Sequence, residues 1–174
     1  MNSNAKRLLA KGFTLTELMA VVIIIAILAG IGFGSYKKSV ERSHFTEGLV
    51  AGNTVLEAVN RYYYDNPDLS AAARKRPKMD YLDVDLSNAK ACTVSSASSS
   101  DYCRRTRYFE VIIYDWGVQV NRVQGSKNKD YYFYLYPDFA GRYTDQCISR
   151  NDAGADLCKS MGYTSCSAGK CSKP

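Results

Sequence analysis

Lys11-Gly12-Phe13-Thr14-Leu15-Thr16-Glu17-Leu18 stands at the head of an apolar run that reaches Tyr36, and Glu17 is the only side chain in that run charged at neutral pH. A carboxylate placed in hydrocarbon costs several kcal/mol unless something neutralises it, so a residue of this kind reads as functional. Lys6, Arg7 and Lys11 sit just ahead of the run, and no acid occurs in the first 12 residues. Residues 13–34 would extend about 33 Å as a helix rising about 1.5 Å per residue, enough for a bilayer core.

Gly12-Phe13-Thr14-Leu15, then Glu17-Leu18-Met19, behind a short basic leader, resembles the class III signal of type IV pilin precursors, which pseudopilins share. The resemblance implies that a prepilin peptidase cuts between Gly12 and Phe13 on the cytoplasmic side and methylates the new amino group of Phe13. The apolar segment then stays on the mature chain, unlike an ordinary signal peptide, whose cleavage site follows its apolar region. Such a cut creates a compact cation at the head of the helix. A neighbouring subunit displaced along a filament axis would bring that amine to Glu17, pairing two charges that lipid disfavours. The plainer alternative is an uncleaved signal anchor with a tolerated glutamate.

The resemblance also implies an organisation and a set of partners. Residues 1–12 are the leader, 13–36 the transmembrane and filament-core helix, and 37–174 a globular head that includes the amphipathic half of the helix. The precursor would be a single-pass inner-membrane protein, a substrate of the peptidase and of an inner-membrane assembly machinery. Its product would be a homo-oligomeric helical filament outside the cell, of the kind used in adhesion, motility or DNA uptake. A pseudopilin of a type II secretion system shares the same N-terminus. A minor pilin whose head binds DNA or surfaces is a third reading.

Beyond Lys37 the pattern becomes amphipathic. Phe45, Leu49, Gly52, Leu56, Val59 and Tyr63 recur at spacings of three and four, on one helical face. Asn66-Pro67 ends the helix, because the residue before proline disfavours the helical region. Gly30, Gly32 and Gly34 each cost about 1 kcal/mol relative to alanine in a helix interior. They predict either a local bend or a close helix–helix approach through small residues. Many type IV pilins carry proline where this chain has Gly34, so a proline kink is not expected.

Four strands are predicted after a long connection over residues 65–106: Arg107–Tyr114, Gly117–Val123, Tyr131–Tyr136 and Arg142–Ile148. Asp115-Trp116-Gly117, the stretch Gly125-Ser126-Lys127-Asn128-Lys129 and Pro137 to Gly141 supply the turns between them. Short connections make consecutive strands antiparallel neighbours. Tyr81 to Leu86 alternates apolar residues and reads as a short strand or extended segment, and Asn151–Met161 as a short helix capped by Asn151 or Asp152. The fold class is therefore α+β, a long N-terminal helix packed on a small antiparallel sheet, as the pilin resemblance also implies.

All six cysteines, Cys92, Cys103, Cys147, Cys158, Cys166 and Cys171, follow the apolar run, an even number that suits disulfides in an oxidising space. The sequential set Cys92–Cys103, Cys147–Cys158 and Cys166–Cys171 closes a short loop at each bridge. Zinc is the competing use, but only Cys166 and Cys171 have the usual Cys-x2-4-Cys spacing, with no second such pair, and the single histidine, His44, is distant in sequence.

No catalytic constellation emerges, and neither an enzymatic activity nor a cofactor or metal is expected. His44 has no second histidine to work with. Asp83 and Asp85 read as a solvated face, although two carboxylates could meet a cation. Asp138, Asp145, Asn151, Asp152 and Asp156 cluster without the spacing of an EF-hand loop. The tyrosines, Tyr62-Tyr63-Tyr64 and Tyr131, Tyr132, Tyr134 and Tyr136 among them, suit half-buried strands and interfaces. Of the formal charge of +6, three units belong to Lys6, Arg7 and Lys11, so about +3 remains on the mature chain. That is weak for nucleic acid, and Arg74, Lys75, Arg76 and Lys78 read as a solvated loop or subunit contact before a DNA site.

Overall fold

The structure, a computed structural model, describes residues 12–67, 76–86, 88–93, 99–124, 127–137 and 144–174. Its chain divides into two compact units, Met1–Glu41 and Arg42–Pro174. Helix α1 runs from Leu15 to Asp65 and contributes to both. It ends at Asp65, directly before Asn66-Pro67, as the proline rule requires.

In the first unit the helix continues through Gly30, Gly32 and Gly34. A Cβ added at any of the three would meet nothing within 4 Å. Helical hydrogen bonding over the flanking aliphatic residues outweighs their low propensity. Leu18, Ile23, Ile27 and Phe33 are all exposed. The apolar window has a mean hydropathy of 2.6 and is long enough to cross a membrane by length and composition.

The second unit is built on one antiparallel sheet of eight strands among the described residues. They are β1 (Lys90–Ala91), β2 (Cys103–Arg105), β3 (Phe109–Tyr114), β4 (Gly117–Gln124), β5 (Lys127–Leu135), β6 (Gln146–Ser149), β7 (Ser165–Ser167) and β8 (Lys170–Ser172). Helix α2 spans Asp152–Ser160. The order is β1-β2-β3-β4-β5-β6-β8-β7, a meander whose C-terminal hairpin folds back so that β8, not β7, pairs with β6. Lys127, Asn128 and Lys129, expected in a turn, instead extend β5 against β4. Tyr81 to Leu86 forms no strand, which leaves the extended reading: Met79–Tyr81 is a 3-10 turn, Leu82 after it has extended backbone, and Met79 and Leu82 are buried.

The core lies between the α1 residues of this unit and one sheet face. Phe45, Gly48, Gly52, Val55, Leu56, Ala58 and Val59 are buried on the helix side, against Val111, Ile113, Val118, Val120, Phe133 and Leu135. Leu49 and Tyr63 flank this stripe and are only partly buried. The stripe is turned toward the glycines because the sheet comes so close. A Cβ at Gly48 would lie 2.5 Å from the Phe109 ring, and one at Gly52 would lie 2.5 Å from Leu135 Cδ1. Phe45 anchors an aromatic cluster, 4.6 Å from Phe133, 5.2 Å from Tyr131 and 6.0 Å from Tyr163 between ring centroids.

Strand β3 is buried on both faces up to Ile113 because the Cys92–Cys103 bridge, with Ile112 and Tyr114, forms a second small apolar cluster on the far side. Arg122 lies opposite Phe109 in the regular β3–β4 register, while the β4–β5 register shifts between Asn121 and Val123. There Arg122, 4% exposed, donates to the carbonyls of Tyr108 at 3.2 Å and Val123 at 2.5 Å. Neither the irregularity nor the buried guanidinium is visible in the strand's apolar pattern.

Candidate functional site

The segment that carries the sequence signal begins in extended, exposed chain. Gly12, Phe13 and Thr14 precede the helix and are exposed, Phe13 at 86%. Thr14 is the N-cap: its carbonyl accepts the Leu18 N–H at 3.2 Å. Its side chain and backbone engage Glu17 reciprocally. Thr14 N donates to Glu17 Oε2 at 2.8 Å, Thr14 Oγ1 donates to the same oxygen at 2.7 Å, and Glu17 N donates to Thr14 Oγ1 at 3.3 Å. This is a capping box, Thr-x-x-Glu, in which two orphan N–H groups of the first turn find partners. Thr14-Leu15-Thr16-Glu17 carries that signature in sequence, and the sequence reading missed it. Among the described residues no cation pairs with Glu17.

In the head the disulfides are Cys92–Cys103, Cys147–Cys158 and Cys166–Cys171, with Cα separations of 5.2, 5.9 and 4.0 Å. Cys147–Cys158 ties α2 to β6. Asn151 caps α2, its side chain accepting from Gly154 N at 2.8 Å and donating to Asp130 at 2.7 Å.

The remaining candidate residues are engaged in the fold rather than gathered at a site. His44 lies tilted against Tyr108 with centroids 4.0 Å apart and is 3.4 Å from Glu47. Asp83 receives a two-pronged contact from Arg61 at 2.8 and 2.9 Å, which holds its carboxyl below the usual range. Arg76 lies over the Tyr102 ring at 3.9 Å, and Lys78 bridges Asp101 at 2.9 Å. Arg74, Lys75 and Asp138 fall outside the described residues. Asp145 accepts from Tyr136 N at 3.3 Å, and burial raises its carboxyl. Asp152 and Asp156 lie exposed on α2. Among the described residues no three His, Cys, Asp or Glu side chains form a group that could hold a metal ion.

The tyrosines divide by strand register. Tyr131 is buried in the core, whereas Tyr132, Tyr134 and Tyr136 alternate onto the other sheet face. There Trp116 stacks on Tyr114, centroids 5.2 Å apart, and meets Tyr134 edge-on at 4.6 Å. Periodicity located these rings on strands, but only the register shows that the β3–β4 turn brings Trp116 to them.

A long N-terminal helix, apolar and long enough in its first part to cross a membrane, followed by an antiparallel, disulfide-tied sheet, defines an α+β protein. The family pattern described as the prokaryotic N-terminal methylation motif matches residues 7–33. The chain is similar to fimbrial protein EcpC of Eikenella corrodens, at 46% identity over 55 residues, covering 32% of this chain and 36% of that one. It is similar to the type IV major pilin protein PilE of Neisseria gonorrhoeae, at 29% identity over 99 residues, covering 52% and 59%. A fimbrial protein of Neisseria meningitidis serogroup B is 36% identical over 58 residues, covering 33% and 34%. The matches thus span between about a third and three fifths of these relatives' length. No solved structure matches the chain. The N-terminal segment thus matches the prokaryotic N-terminal methylation motif, and the similar proteins are named as fimbrial proteins and a type IV major pilin.

Proposed function

We propose that this chain is the structural, non-enzymatic subunit of a type IV pilus-like filament, assembled through its N-terminal helix. The observation that carries the reading is Glu17, a carboxylate inside an apolar helix whose partners among the described residues are all on Thr14. A capping box satisfies hydrogen bonds but leaves the charge unneutralised, which lipid penalises. Cleavage after Gly12 would expose the Phe13 amine, and an N-methylated amine from a neighbouring subunit would supply the missing cation. Residues 13–36 form the membrane and filament-core segment in this reading. The head from 37 onward forms the outer layer, carried by a precursor that waits in the inner membrane.

The names of the relatives, pilins and fimbrial proteins, support a pilus over a secretion pseudopilin. Recognition of DNA through the Arg74 to Lys78 cluster gains little support, since Arg76 and Lys78 already serve Tyr102 and Asp101. The test is Glu17→Ala expressed in place of the parent chain. The variant should insert in the membrane and disappear from sheared filaments; normal filament incorporation would overturn the charge-pair reading.

A further inference from the structure

Three cysteines occupy one row across three strands. Cys147 on β6 lies directly opposite Cys171 on β8, and Cys171 lies directly opposite Cys166 on β7. Side chains of directly opposed residues project on the same sheet face with Cβ atoms about 5 Å apart. Cys171 therefore has two sulfur neighbours: Cys166, to which it is bonded, and Cys147, which is bonded instead to Cys158 on α2. Cys147 and Cys158 are 0% exposed and Cys171 1%, whereas Cys166 is exposed on β7, all three of whose residues are exposed.

We propose that this row is a thiol–disulfide exchange site, entered at Cys166 by a thiol from outside the chain and passed through Cys171 to Cys147. An incoming thiolate attacks the exposed Cys166 sulfur, forming a mixed disulfide, and the electron pair of the broken bond leaves on Cys171. The Cys171 thiolate attacks Cys147, forming Cys147–Cys171, and the pair leaves on Cys158, which takes up the proton lost by the incoming thiol. One external thiol is consumed and one protein thiol, Cys158, is released, so the number of disulfides is unchanged and no oxidant or reductant is needed. The result moves the covalent strap: α2 is released from β6, and the C-terminal hairpin becomes bonded to β6 in its place. Because the attacking sulfur must be a thiolate and burial raises a thiol's pKa, exchange should accelerate about tenfold per pH unit below that pKa. Cys103 lies opposite Ile112 in the separate cluster on the other sheet face, so Cys92–Cys103 is an internal reference that the row does not reach.

The experiment is disulfide mapping of the full chain in detergent after incubation with glutathione, acid quench and alkylation. A glutathione adduct on Cys166, a peptide joined by Cys147–Cys171, an alkylated Cys158 and an intact Cys92–Cys103 are expected. Glutathione on Cys166 with Cys171 alkylated and Cys147–Cys158 intact would overturn the proposal. Cys166→Ser tests the second step without any added thiol, since it leaves Cys171 free: the label should move from Cys171 to Cys158 as pH rises. Cys171→Ser leaves Cys166 free, and there the label should stay on Cys166 with Cys147–Cys158 retained. Loss of Cys147–Cys158 in that variant as well would mean general scrambling, against the proposal. Should either variant fail to fold, the parent chain with glutathione decides alone.

Discussion

Thr14 and Glu17 grip each other at the start of α1, the Thr14 hydroxyl and amide both donating to one Glu17 oxygen at 2.7 and 2.8 Å. Glu17 thus serves the helix cap seen in the structure besides the charge pairing proposed for assembly, and the two can be separated. Glutamine serves in a capping box as well as glutamate does, but carries no charge. Glu17→Gln should therefore keep the first turn of the helix while abolishing filament assembly. Thr14→Ala should weaken the cap by about 1 kcal/mol and leave assembly largely intact. Helicity by circular dichroism and subunit recovery in sheared filaments check both, and a Glu17→Gln chain that polymerises would show that capping is the residue's whole role.

The glycines of α1 should answer alanine in opposite ways. Gly30→Ala meets open space and gains about 1 kcal/mol of helix propensity. Gly48→Ala and Gly52→Ala would drive a methyl into the Phe109 ring or into Leu135 and Val120, and overpacking of this kind costs about 1–3 kcal/mol. Urea unfolding of the full chain in detergent should rank Gly30→Ala at or above the parent and the other two below it.

These glycines also mark what could be read from the sequence. The long helix, its end before Pro67, four of the strands and α2 with its Asn151 cap follow from periodicity and from Pro, Gly and Asn at the boundaries. The spacing of Phe45, Gly52, Leu56 and Val59 gave the buried face only approximately. Whether Gly48 faces the core depends on how near Phe109 approaches, a tertiary distance with no local signal. Strands β1, β2, β7 and β8 hold two or three residues each, among them Ser, Lys and Cys, too short for any alternation to register. Glu17 stood out because a charge in an apolar run is conspicuous. Its partner Thr14 shows only through the short Thr-x-x-Glu spacing, a local pattern with no charge or hydropathy contrast to mark it.

The β7–β8 hairpin turns through Ala168 and Gly169 with φ of +47° and +80°. Two consecutive left-handed residues make a type I′ turn, which asparagine followed by glycine fits best. Alanine in that region is strained by about 1 kcal/mol. Ala168→Asn should raise stability by about 0.5–1 kcal/mol, read as a higher melting temperature, with the Cys166–Cys171 bridge retained.

Tyr163 is fully buried, its hydroxyl finds no hydrogen-bond partner among the described residues, and burial pushes its pKa up to about 12. An unfolded tyrosine ionises near pH ~10. Above that value the unfolded chain binds fewer protons than the fold, so the stability due to Tyr163 is complete below pH ~10 and is lost as pH rises toward ~12. Tyr163→Phe should flatten this alkaline decline. At neutral pH it should be neutral or stabilising by about 1 kcal/mol, because no hydrogen bond is lost with the hydroxyl. Melting temperatures of parent and variant between pH ~8 and ~11 test both statements, and a variant with an unchanged alkaline slope would contradict the first.

The central claim is that the chain is cut after Gly12 and built into a filament by its N-terminal helix. Intact-mass analysis and N-terminal sequencing of filaments sheared from cells test it most directly. A filament subunit that begins with N-methylated Phe13 is the predicted result. A chain found only in the membrane, still carrying the residues ahead of Phe13, would contradict it.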